Sequence, residues 1–420
     1  MRTRVEAWLA RTSGPAFTAY AIGAAFTAYF CMYAVRKPFA AAAFADQEVG
    51  GVALKIALVM GQVLGYALSK FLGIKFVSEI RPSRRPLALL VLIGAAELAL
   101  LLFAIAPPWL QVVAMFCNGL PLGAVWGLVF GFLEGRRTTE ILGAGLSTSY
   151  IVASGAVKSV GAWMLREGIS ERWMPFLTGL VFVPAFAIAV WLLARLPRPT
   201  VEDEAARVER KPMFGAERVA FLKRFGVGIL LLTCVHTLIT AYRDFRDNFA
   251  AEIWHALSFG DVPAMFTYSE IPVALAVVAG LAAIYRIGDN RRAFFAVHAL
   301  MATGTGMIAL ATLAFDLGVL PGPAWMIAIG IGLYLAYVPY GTVLFDRLIA
   351  ATGAVGTAVF MIYVTDAFGY LGSIVVLVVK NFGHAERSWL EFFRGFSYLC
   401  GISCSAAFVA SAWYFARRTR

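Results

Sequence analysis

Apolar runs of about twenty residues, separated by short polar links, recur along this chain from near its start to near its end. A helix of about 20 apolar residues crosses the roughly 30 Å hydrocarbon core of a bilayer. On that yardstick the pattern predicts twelve membrane helices. Six lie near residues 15–40, 52–76, 86–106, 109–134, 140–165 and 174–195, and six near 222–249, 262–285, 293–315, 323–346, 354–380 and 389–416. The only long hydrophilic stretch, with Pro197, Pro199, Pro212 and charges of both signs, separates the two sets. The expected layout is therefore an all-α membrane protein of two pseudo-symmetric six-helix bundles, 1–195 and 222–420, joined by a linker at 196–221.

Composition agrees with that pattern. The 420 residues are 60% hydrophobic and 15% charged, with a mean hydropathy of +0.77, too apolar for a soluble domain of this size. A net charge of +11 would suggest nucleic acid in a soluble protein. Here most cations fall in links on one side of the predicted membrane, Arg81, Arg84, Arg85, Arg136, Arg137, Arg286, Arg291, Arg292, Arg347, Arg417, Arg418, Arg420 and those of the linker, while two opposite loops carry mixed charge around Arg166, Arg172 and Arg387. Ala45 to Gly51, Pro107 to Trp109, Trp254 to Asp261 and Asp316 to Pro323 hold no Lys or Arg. The positive-inside rule accounts for this bias, puts both termini and the linker in the cytoplasm, and leaves no role for nucleic acid. Cys31, Cys117, Cys234, Cys400 and Cys404 lie inside apolar spans without CxxC or metal spacing and read as buried small hydrophobes. The first run has no small-residue cleavage site and reads as a retained helix.

Charged and hydrogen-bonding residues interrupt the spans at helical spacing. Tyr29, Tyr33 and Arg36 share one face; Gln62, Tyr66, Ser69 and Lys70 share another; Ser147, Tyr150, Ser154 and Lys158 a third; and His236, Thr240, Arg243 and Asp247 a fourth. Tyr242, Asp244 and Arg246 stand beside that last stripe, and Tyr268, Glu270 and Asp366 belong to later spans. A cation in mid-span costs about 3 kcal/mol on insertion scales, so such residues face a polar interior. Arg36 and Arg243 stand in the first helix of each half, next to or near Tyr33 and Tyr242. Two pseudo-equivalent arginines suit a dianionic head group, because a guanidinium offers a planar fork of donors that matches phosphate or carboxylate. The candidate substrate residues are Arg36, Arg243, Lys70, Tyr33, Tyr66, Lys158 and Tyr242, and the candidate proton or gating residues Asp244, Asp247, Glu270 and Asp366. The alternative is internal pairing, with Asp244 and Asp247 serving Arg243 and Arg246, Lys70 meeting Glu270, and Lys37 snorkelling to the interface. Glu97 and Glu134 are expected to make a local hydrogen bond or sit at a helix end, and Tyr334, Tyr337 and Tyr340 to pack or to stack on an organic moiety. No HExxH or GxSxG occurs, and Gly155-Ala156-Val157-Lys158-Ser159 lacks the glycine before lysine that a phosphate loop needs, so no enzyme, cofactor or metal is expected.

Tyr33-Ala34-Val35-Arg36-Lys37-Pro38-Phe39, Gly65-Tyr66-Ala67-Leu68-Ser69-Lys70-Phe71 and Ala241-Tyr242-Arg243 resemble the first-, second- and seventh-helix segments of the organophosphate:phosphate antiporter family of the major facilitator superfamily. Tyr268-Ser269-Glu270-Ile271-Pro272 and Phe368-Gly369-Tyr370-Leu371-Gly372 are similar to its eighth- and eleventh-helix segments. That family's helix-five histidine has no counterpart, its place falling near Ala153 and Ser154, and Glu79 to Arg85 only loosely follows the family's loop motif. The resemblance implies the major facilitator fold and a monomeric alternating-access carrier in the cell membrane, exchanging an organic phosphate for inorganic phosphate. It also implies that Arg36 and Arg243 hold the phosphate and that Lys70 adds charge. A proton-coupled carrier of another anionic or zwitterionic solute, and a transporter-like membrane sensor, are the alternatives.

Overall fold

The computed structural model describes residues 4–9, 11–12, 14–136, 138–199, 203, 215–260, 262–352, 358–383 and 386–418. Most of the predicted linker, 200–202 and 204–214, lies outside the described residues. The long helices are α1 Gly14–Arg36, α2 Leu54–Glu79, α3 Arg85–Ile105, α4 Pro108–Leu122, α5 Thr139–Arg166, α6 Met174–Ala194, α7 Gly215–Asn248, α8 Glu270–Tyr285, α9 Asn290–Asp316, α10 Gly322–Thr342, α11 Ala358–Val378 and α12 Trp389–Ala416. Each falls on a predicted apolar run. Among the described residues, ten helices are long and apolar enough to cross a membrane. The two predicted spans outside that count are α5, whose Ser147, Ser149, Tyr150, Ser154 and Lys158 lower its hydropathy, and α11, whose apolar stretch Phe368–Gly383 is shorter.

Local chemistry fixes several helix ends. Asp289 caps α9 by accepting from the Arg292 backbone N–H at 2.7 Å, and Ser388 caps α12 by accepting from that of Glu391 at 3.1 Å. The fourth predicted helix, drawn to 134, is broken instead. It stops at Leu122, resumes as Val125–Phe130, and leaves Glu134 in the turn beyond. Pro121 inside α4 removes a ladder donor and explains the interruption. The loop after α1 holds a small hairpin, Glu48–Val49 paired with Val52–Ala53. Gly50 and Gly51 turn it with φ of 59° and 76°, as a two-residue primed turn requires.

The chain divides into two compact units, Met1–Val208 with Val262–Thr267, and Glu209–Asp261 with Tyr268–Arg420. In the first, α1 packs on α5 and α6, α2 on α4, and α3 on α4 and α6. In the second, α7 packs on α11 and α12, α8 on α10, and α9 on α10 and α12. Adding six to each number in the first set gives the second, so the two units repeat one neighbour pattern. Close backbone approach makes these packings possible. A Cβ on Gly65 would lie 2.1 Å from the Phe116 carbonyl oxygen, and one on Gly119 2.2 Å from that of Gln62, so α2 and α4 meet through reciprocal glycines.

The outward faces are apolar. On α3, Leu87, Val91, Leu98 and Ile105 form an exposed stripe, while Leu89, Ile93, Ala96, Glu97, Leu100 and Phe103 are buried. Exposed apolar stripes on helices of this length identify a multi-pass membrane protein whose outer surface meets lipid. Cys117 and Cys234 belong to these exposed faces, contrary to the expectation that all five cysteines are buried; Cys31, Cys400 and Cys404 are inside.

Candidate functional site

In the first unit the site begins where α1 ends. Pro38 has no N–H and turns the chain into the 3₁₀ segment Pro38–Ala41, which leaves the last carbonyls of α1 without helical donors. Side chains from two other helices replace those donors. Gln62 of α2 donates to the Arg36 carbonyl at 2.9 Å and to Asn118 Oδ1 at 2.8 Å. Asn118 of α4 donates to the Val35 and Ala96 carbonyls, each at 3.0 Å. Lys55 Nζ donates to the Ala40 carbonyl at 3.1 Å. A buried amide network therefore fixes the backbone that carries Arg36.

The Arg36 side chain is 3% exposed. Its guanidinium carbon sits 4.0 Å from the centroid of the Tyr66 ring and 5.7 Å from that of Tyr33, within cation–π range. Lys70, one turn after Tyr66, places its ammonium 5.5 Å from the same Tyr66 centroid. Four predicted residues, Tyr33, Arg36, Tyr66 and Lys70, thus form one cluster. Tyr29 extends it, with its ring 5.7 Å from Tyr33 and 6.4 Å from Tyr150 of α5. Lys158, two turns beyond Tyr150, is buried over the Phe266 ring at 5.6 Å, and neighbouring Ser159 donates to the Pro263 carbonyl at 2.7 Å. Lys37, expected to snorkel, is only 2% exposed. The buried charged side chains of this unit are Arg36, Lys37, Lys55, Lys70, Arg136 and Lys158 against Glu97 alone, among the described residues.

Among the described residues the second unit is balanced instead, with Arg243, Arg246 and Lys380 buried along with Asp244, Asp247 and Glu270. Arg243 donates from Nη2 to Asp244 Oδ1 at 2.8 Å, and Ser373 of α11 donates to Asp244 Oδ2 at 2.8 Å. The Arg243 guanidinium lies 4.3 Å from the Tyr337 centroid, so in both units an arginine stacks on a tyrosine from another helix. Arg246 donates to Glu270 Oε1 at 2.8 Å and to the Met326 carbonyl at 3.1 Å. Glu270 is therefore a partner of Arg246. Tyr242, grouped with the substrate residues by sequence, turns into the helix packing. Its hydroxyl is 2.8 Å from Ser397 Oγ and its ring stacks on Phe393 at 5.0 Å. His236 Nε2 meets Asp366 Oδ1 at 3.1 Å, joining α7 to α11, and its ring stacks on Tyr337 at 5.4 Å. Tyr340 donates to the Leu232 carbonyl at 2.8 Å and packs. Asp247 is buried on α7.

Sequence reasoning missed Asn118 and Ser373 and left Tyr337 open. An isolated asparagine nearly three turns into an apolar span was the available signal for Asn118. The chain matches the model of a family described as being of unknown function, DUF5690, over residues 38–418. No curated protein matches the sequence. Solved structures similar to it include the nucleoside transporter NupG, at 14% identity over 94% of this chain and 98% of that one, with a TM-score of 0.60. A D-xylose-proton symporter matches at 14% identity over 96% and 97%, with a TM-score of 0.63. A bacterial homologue of the human lysosomal transporter Spinster, in an inward-facing and unoccupied conformation, matches at 12% identity over 97% and 99%, also with a TM-score of 0.63.

Proposed function

The chain belongs to the DUF5690 family and has the major facilitator fold, and from that premise we propose that it is a secondary transporter of an anionic solute. The observation that carries this reading is the convergence of Arg36 and Lys70 on the Tyr66 ring, inside a bundle whose buried charges are six cations and one carboxyl among the described residues. Each buried ion carries a desolvation cost of several kcal/mol unless it is paired. An anion bound between guanidinium and ammonium is favoured by that excess of buried cations, and the Tyr66 ring lies beside both donors. A phosphate fits this donor set best, since its oxygens take a bidentate guanidinium and a point-charge ammonium together. The solute proposed is an organic phosphate exchanged for inorganic phosphate.

Arg243 has a different part in this reading. Its guanidinium is already engaged by Asp244, which is itself held by Ser373. Arg246 and Glu270 remain a structural pair, and the transporter crosses the cell membrane with both termini in the cytoplasm. Proteoliposomes loaded with labelled phosphate test the reading. Release of label on adding outside phosphate or organic phosphates, lost in Arg36→Lys, is the expected result. Absence of exchange with every phosphate tried would overturn it, and uptake of a non-phosphorylated anion driven by a proton gradient would replace it with the proton-coupled alternative.

A further inference from the structure

We infer that Glu97, in the middle of α3, is a proton-binding site inside the membrane that carries its proton at neutral pH. The side chain is 7% exposed, and neither carboxyl oxygen has a hydrogen-bond partner among the described residues. Its carboxyl presses on the backbone of α6, where a Cβ at Gly179 would lie 2.1 Å from Oε2. The elements packed against α3 offer it no compensating cation at that point. Helix α6 and the segment Val125–Phe130 contain no ionisable side chain, α4 has only Cys117 on its exposed face, and Pro82–Arg84 carries Arg84 near the start of α3. Helix α1 carries Tyr20, Tyr29, Cys31, Tyr33 and Arg36, and Arg36 is turned onto Tyr66. An ionised carboxylate in such surroundings is far costlier than a neutral acid, so the proton stays. Even the neutral acid, with its oxygens unmatched, costs stability that an apolar residue would not. That cost is accounted for if the group has to bind and release a proton. Its position fits that role: Asn118 bonds the carbonyl just before Glu97 and the carbonyl just before Arg36, so one side chain spans the two groups' backbones.

This inference goes beyond the transport reading and does not depend on which solute is carried. Infrared difference spectra of the purified protein against Glu97→Gln test it directly, with a pH-indicator dye to count released protons. The expected result is a protonated-carboxyl C=O band at neutral pH that is missing from Glu97→Gln. It should fade reversibly as the pH is raised while the protein stays folded, with a proton appearing in solution. Identical bands in the two proteins would overturn the inference, because the group would then be ionised at neutral pH. A Glu97 band that persists unchanged into alkaline solution would overturn it too, since an inert acid binds no exchangeable proton. If Glu97→Gln does not fold, Glu97→Asp serves instead and should displace the band's frequency; an unmoved band would overturn the assignment.

Discussion

At Arg36 the chemistry turns on geometry more than on charge. Its guanidinium carbon lies 4.0 Å from the Tyr66 ring centroid, with Lys70 adding a second cation to the same ring. Replacing Arg36 by Lys keeps the charge and removes the planar fork. A charge-assisted hydrogen bond is worth about 2 kcal/mol, so Arg36→Lys should weaken phosphate binding roughly thirtyfold, as read by isothermal titration or by the half-saturating concentration for exchange. Tyr66→Phe keeps the ring and should exchange normally, whereas Tyr66→Leu should lose the stacking and lower affinity. A wild-type affinity in Arg36→Lys would remove Arg36 from the site. Elsewhere a single residue governs stability instead. Glu270→Gln leaves Arg246 buried without its counter-charge, and breaking a buried pair costs about 3–5 kcal/mol. A clear drop in the unfolding temperature in detergent should follow, and Arg246→Met combined with Glu270→Leu should recover most of it.

At the scale of elements, α2 and α4 are joined through glycines that leave no room for a side chain. Gly65→Val places carbon against the Phe116 carbonyl and should abolish folded, monodisperse protein on size exclusion. Gly94→Ala on α3, with nothing within 4 Å, should fold as well as wild type. The helices themselves were legible in the sequence because lipid imposes a length and an apolarity that most of the runs meet. The cluster of Tyr33, Arg36, Tyr66 and Lys70 was legible in part, since i, i+3 and i, i+4 spacing reports which residues share a face. Contacts between helices were not. Arg246 finds Glu270 24 residues away on another helix, and nothing in either stripe encodes that pairing. The contact of Tyr242 with Ser397 was hidden for the same reason: adjacency to Arg243 in sequence puts it about 100° around the helix, toward α12. Asn118 stands out in the sequence as a polar residue in an apolar span, but its partners, the Val35 and Ala96 carbonyls, leave no mark there.

For the whole molecule, the two units repeat one packing pattern but differ in charge, the first buried interior being cationic and the second balanced among the described residues. That difference bears on energy coupling. If the cationic bundle takes up a phosphate, the charge it must carry across the membrane depends on whether Glu97 holds its proton, so Glu97 and the anion are linked electrostatically as well as through Asn118. Exchange of one phosphate for another returns the bundle to the same state and needs no change at Glu97. Net uptake driven by a pH difference does need it, because the proton has to leave on one side and rejoin on the other. Glu97→Gln fixes the neutral form and should therefore keep phosphate exchange near the wild-type rate while losing accumulation driven by a pH gradient. Proteoliposomes loaded with or without unlabelled phosphate, at equal and unequal pH, separate the two modes. Equal loss of both would make Glu97 a structural residue, and retention of gradient-driven uptake would place the coupling proton on another group, with the His236–Asp366 pair next to be examined.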